Sequence, residues 1–136
     1  MNLTGKRVLV VEDEAIVRMM IEDFLAEIGC RVAATASTLE EALIASANLE
    51  MDAAILDINL YGKLSYPVAH LLASRHIPFL FATGYGAAGL PLDLKNVPVL
   101  SKPFGIEQIE SMLKRVLTGP IERDGSLRRN VIVDSD

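Results

Sequence analysis

The sequence predicts a doubly wound α/β fold, a five-stranded parallel sheet with helices on both faces. Three observations predict it. Short apolar runs recur along the chain, and each is followed by a stretch with helical spacing. Several of the runs are continuously apolar rather than alternating, as strands covered on both faces are. The connections are short, so each strand and the helix after it read as one crossover unit. The chain of 136 residues is one domain's worth, and 51% hydrophobic with 23% charged residues is enough to bury a core.

The elements follow in order. Residues 6–11 (KRVLVV) form the first strand. Ala15–Ile28 has helical spacing, with Ile16, Met19, Met20, Phe24 and Ile28 expected on the buried side and Gly29 as the left-handed stop. Arg31–Ala36 is the second strand. Ser37 and Thr38, with Glu40 and Glu41 three residues on, offer two possible capping boxes for a helix to about Asn48. Residues 51–56 (MDAAIL) form the third strand. A loop containing Gly62 leads to a helix over 67–75, with Pro67 suited to its first turn. Residues 77–82 (IPFLFA) form the fourth strand, and the run GYGAAG after it fits a weak helix or a loop equally well. Residues 97–101 are a short fifth strand, placed at a sheet edge by Pro98. The last helix spans 106–117, with Ile106, Ile109, Leu113 and Val116 on one stripe. A domain over 1–117 and a flexible charged tail over 118–136 are expected.

Composition excludes some functions. A net charge of −5 argues against a nucleic-acid surface, and Arg128 and Arg129 are too few to make one. The single cysteine, Cys30, cannot form an internal disulfide and reads as a small buried hydrophobe. The apolar N-terminal run is too short for a signal peptide, and the uncharged stretch 77–92 is broken by proline and glycine. A soluble, cytoplasmic protein is expected. His70 and His76 stand in no metal-ligand spacing, and Tyr61 and Tyr66, in the loop beyond Asp57, either line or shield the site or, as favoured here, pack within their loop.

In open parallel sheets, ligands bind beyond the carboxyl ends of the strands. Glu12, Asp13 and Glu14 follow the first strand, Asp57 the third, Thr83 the fourth and Lys102 the fifth. A flavodoxin-like order 2-1-3-4-5 brings these positions to one edge. Singly, each has an ordinary reading: acids at a helix N-terminus, a turn-forming aspartate, a surface lysine. As a set they point to a site. Carboxylates round one hollow repel unless a cation shares it, and Mg²⁺ suits oxygen ligands. The lysine and threonine, expected on the far side, suit a phosphoryl group beside the metal.

VLVVEDE, AAILDINL, FATGY and LSKPF, taken together, resemble the receiver domain of two-component response regulators. The resemblance implies a phosphoacceptor rather than an enzyme, with Asp57 receiving a phosphoryl group from a histidine kinase or a histidine phosphotransferase. It implies that Glu12, Asp13, Asp57 and the backbone carbonyl of Asn59 serve Mg²⁺, that Thr83 and Lys102 contact the phosphoryl oxygens, and that the Lys102–Pro103 bond is cis. PFLFATGY is further similar to the FAT-GUY receivers of alphaproteobacteria, usually stand-alone and paired with kinases of the HWE and related classes. Such a chain has no output domain of its own. It acts by contact with a downstream protein or drains phosphoryl groups from a kinase, as a monomer or weak dimer without nucleic acid or membrane.

The sequence departs from the common receiver pattern at Val99, where a tyrosine or phenylalanine is usual. A switch of Thr83, Tyr85 and Val99 is therefore expected in altered form, with Tyr85 supplying the ring and residues 84–90 ordering on activation. One alternative is a receiver-like binding module that works without phosphorylation, against which the full site argues. A flavin-nucleotide binder is disfavoured because Glu12–Glu14 repel phosphate. A haloacid-dehalogenase-like hydrolase needs a second aspartate where Asn59 stands.

Overall fold

The computed structural model describes residues 2–84 and 89–118. Strands β1 (Arg7–Val11), β2 (Arg31–Ala36), β3 (Ala53–Asp57), β6 (Phe79–Thr83) and β7 (Val99–Ser101) form one sheet, in the order β2-β1-β3-β6-β7. All four pairings are parallel, so the predicted 2-1-3-4-5 order is what the chain adopts. A small antiparallel hairpin, β4 (Asn59–Leu60) and β5 (Lys63–Leu64), stands apart directly after β3. The helices are α1 (Ala15–Ile28), α2 (Leu39–Asn48), α3 (Tyr66–Ser74) and α4 (Ile106–Thr118).

The pleat divides the core in two. Leu9, Val11, Ala54, Leu56, Phe79 and Phe81 face α2 and α3, where Ala42, Val68, Ala69 and Leu72 meet them. Val8, Val10, Ala53, Ile55, Leu80 and Ala82 face α1 and α4, which contribute Ile21, Leu25, Ile109 and Leu113. Burial on both faces explains why these strands read as unbroken apolar runs.

Local signals account for most boundaries. Gly29 takes φ 102° and donates its N–H to the Leu25 and Ala26 carbonyls, ending α1. Of the two possible capping boxes, neither closes in full: Thr38 is the N-cap, its hydroxyl accepting the Glu41 N–H at 3.1 Å, but the Glu41 carboxylate accepts from the N–H of the preceding residue, Ser37, at 2.8 Å. Among the described residues β7 pairs with β6 alone, so Pro98 stands at a sheet edge there. Cys30 is buried, and the Lys102–Pro103 bond is cis.

Two expectations change. Ile16 and Met19 lie on the exposed side of α1, because the stripe that packs on the sheet runs through Val17, Ile21, Leu25 and Ile28 instead. The loop after Asp57 contains a hairpin. Residues 85–88 lie outside the described residues; between β6 and β7, where the sequence fits a helix or a loop equally well, the described residues form a single 3₁₀ turn, Leu92–Leu94. That segment still seals the sheet, with Leu90, Leu94 and Val97 buried against it. The tail, residues 119–136, lies outside the described residues.

Candidate functional site

Parallel pairing in register brings the carboxyl ends of β1, β3, β6 and β7 to one edge. β1 delivers Glu12 and Asp13 just beyond Val11, and β3 delivers Asp57 as its last residue. One oxygen from each of these three acids lies within 4.8 Å of the others. Glu12 and Asp57 are buried among the strand ends, while Asp13 is half-buried at the rim. With Glu14, Asn59, Gly84 and Lys102, Asp13 and Asp57 line an open cavity of about 400 Å³.

Lys102 is not across the hollow from the acids, as the sequence suggested. Its ammonium bridges them, 2.9 Å from Glu12 Oε1 and 3.3 Å from Asp57 Oδ2, with Glu14 Oε1 at 3.7 Å. Attraction draws the ammonium into the acidic cluster, and one lysine cannot neutralise three carboxylates. Burial pushes Glu12 up to about 7, the contact with Lys102 opposing the rise and the Asp57 charge reinforcing it. Burial also raises Asp57 above the ordinary aspartate value, against the pull of Lys102 and of the Asn59 N–H, which donates to Oδ1 at 3.4 Å. Burial alone would lower Lys102, but Glu12 and Asp57 hold its proton and raise it.

Thr83 is buried at the end of β6, and its carbonyl accepts the Lys102 N–H at 2.9 Å, tying the threonine to the lysine's backbone. Val99 opens β7 opposite Phe81 and packs against the α2–α3 side of the core. Tyr85 lies outside the described residues.

Two residues outside the expected ligand and phosphoryl-contact set also contribute. Glu14 lines the cavity and lies near Lys102. Tyr61, expected to pack within its loop, instead reaches Asp13: its N–H donates to Oδ2 at 2.9 Å and its hydroxyl to the Asp13 carbonyl at 3.2 Å. A two-residue Tyr-Gly turn between short β-capable pairs was the only available hint. Tyr66 belongs to the core, edge-on to Phe81 with ring centroids 6.2 Å apart. His70 pairs with Asp93 at 2.8 Å on the surface.

Three clustered carboxylates with a charge excess that Lys102 leaves uncancelled fit a hard divalent cation bound through oxygen. A parallel sheet with such a cluster and a lysine at its carboxyl edge defines a receiver-type module. The response regulator receiver domain model matches residues 8–114. Among curated proteins, the probable transcriptional regulator ycf27 of Guillardia theta is 33% identical over 120 residues, covering 84% of this chain and 46% of that protein. The transcriptional regulatory protein PdtaR of Mycobacterium tuberculosis is 29% identical over 108 residues, covering 76% and 53%. The chain thus spans about half the length of the curated relatives it matches. Among solved structures, that of SdrG from Sphingomonas melonis Fr1 superposes with a TM-score of 0.75 at 40% identity, covering 86% of this chain and 99% of that one. The chain belongs to the response regulator receiver domain family, the phosphoacceptor modules of two-component signalling, whose partners are histidine kinases or phosphotransferases. Among the described residues no helix is long and apolar enough to cross a membrane.

Proposed function

We propose that this receiver accepts a phosphoryl group on Asp57 from the phosphohistidine of a histidine kinase, of the HWE or a related class, or of a histidine phosphotransferase. An Asp57 oxygen attacks phosphorus, the P–N bond breaks with its electron pair going to nitrogen, and the histidine, protonated beforehand on its other ring nitrogen, leaves as neutral imidazole. Glu12, Asp13, Asp57 and the Asn59 carbonyl would hold Mg²⁺, which when bound supplies positive charge to offset repulsion between carboxylate and phosphoryl oxygens. Lys102 adds a fixed positive charge beside the acceptor, and Thr83 a hydroxyl for the phosphoryl oxygens.

One observation carries the reading: three acids from two strand ends converge within 4.8 Å, with Lys102 3.3 Å from Asp57. Similarity of PFLFATGY to the FAT-GUY receivers, and the likeness to SdrG over nearly all of that chain, support a role without an attached output domain. Output then runs through a protein contact in the cytoplasm, or the protein serves as a phosphate sink. Since Val99 has no ring to turn inward, the switch is assigned to Thr83 with Tyr85. Tyr85→Ala is then expected to take up phosphate normally and fail to signal; normal signalling would move the switch elsewhere.

The deciding test incubates wild type and Asp57→Asn with a phosphorylated kinase. The variant should stay folded and unlabelled, and full labelling of it would refute the assignment.

A further inference from the structure

The turn after the proposed acceptor is built on an unfavourable residue. Leu60 and Lys63 pair across a two-residue loop, Tyr61 and Gly62, whose φ angles are 52° and 85°. Hairpin loops with positive φ at both central positions favour Asn-Gly, Asp-Gly or Gly-Gly. Gly62 meets that demand, whereas a tyrosine at positive φ is a conformational outlier. The base of the loop is well fastened. Leu60 is buried, Asn59 Oδ1 accepts the Gly62 N–H at 2.7 Å, and the Ser65 N–H donates to the Ile58 carbonyl at 2.8 Å.

Core packing does not explain the tyrosine, which is 68% exposed. Its contacts to Asp13 do. The positive φ goes with a backbone N–H 2.9 Å from the Asp13 carboxylate, and the same residue's hydroxyl lies 3.2 Å from the Asp13 carbonyl. One residue thus grips Asp13 at side chain and main chain together. With Oδ2 engaged, rotation of the carboxylate is restrained, as outer-shell hydrogen bonds restrain the ligands of metal centres.

We propose that Tyr61 is a positioning residue for the divalent cation, holding Asp13 in its ligating rotamer. This rests on reading the acidic cluster as a Mg²⁺ site. Glu12 needs no such partner because burial and Lys102 already fix it. Asp13, at the rim, has its outward side held by the hairpin instead.

The test is a Mg²⁺ titration of the full chain, followed by amide chemical shifts, on wild type, Tyr61→Phe, Tyr61→Asn and Asp13→Ala. Tyr61→Phe keeps the ring and the backbone and loses only the hydroxyl, and should bind Mg²⁺ about fivefold more weakly. Tyr61→Asn relieves the turn, so it should melt at a higher temperature and still bind Mg²⁺ more weakly. A purely structural role would not move stability and affinity in opposite directions. Wild-type affinity in both Tyr61 variants, with affinity lost in Asp13→Ala, would overturn the positioning role alone. Wild-type affinity in Asp13→Ala would overturn the metal reading and this inference with it.

Discussion

Two aspartates at opposite ends of one strand have opposite electrostatic fates. Asp52 stands just before β3, where the Arg7 backbone N–H donates to it at 2.8 Å and the guanidinium grips both oxygens at 3.2 and 3.3 Å. The hydrogen bond to Arg7 holds Asp52 below the ordinary aspartate value. Asp57 ends the same strand, and there burial holds the carboxyl above that value. At the first end charges are matched and tie β1 to β3. At the second, acids are gathered faster than the single lysine can balance them, an arrangement that makes sense for a bound cation and a charged reactant. One end of the sheet serves stability, and the other carries an electrostatic cost for the sake of a ligand.

The sharpest way to break this comparison is to remove each charge in turn. Asp57→Asn should abolish phosphotransfer, while Asp52→Asn should leave it near wild type. Equal loss in both variants, measured by labelling from a phosphorylated kinase, would erase the distinction. Next in size, Asp13→Ala should weaken Mg²⁺ binding roughly tenfold or more, with little change in the unfolding midpoint measured in chelator.

A third effect concerns pH. Glu12 is raised from 4.5 to about 7 in the folded chain, so between those values the native state holds more protons than the unfolded one. Stability in chelator should therefore fall as pH rises from 4.5 towards 7, and Glu12→Gln should flatten that slope. A thermal midpoint that climbs across this window in wild type would contradict the assigned shift. The smallest effect is expected at the other end of β3. Asp52 is depressed below 3.8, so its contribution is present above that value and lost as pH falls through its folded pKa. Asp52→Asn should be modestly less stable than wild type at neutral pH, and the two should converge in acid.

How much of this was legible depended on the range of the interactions. The strand-end acids, Thr83 and Lys102 could be placed because each directly follows an apolar run, and a parallel sheet must align such ends. Ile16 and Met19 misled because helical spacing marks two overlapping stripes on an apolar α1, and only docking on the sheet selects the one through Ile21 and Leu25. The hairpin of β4 and β5 escaped notice because two-residue strands carry almost no periodic signal.

What the sequence by itself determined is the parallel sheet, its order, its two-faced core and the edge at which its polar residues collect. All but the order follow from local patterns repeated unit by unit, and the order follows from likeness to the flavodoxin-like arrangement. Only the tertiary structure decided that Lys102 bridges Glu12 and Asp57, and that Tyr61 accepts a strained turn to hold Asp13. Those contacts join loops from different units across the sheet edge. Their geometry depends on how strand ends stagger and where a short turn folds back, and neither leaves a periodic trace in the chain.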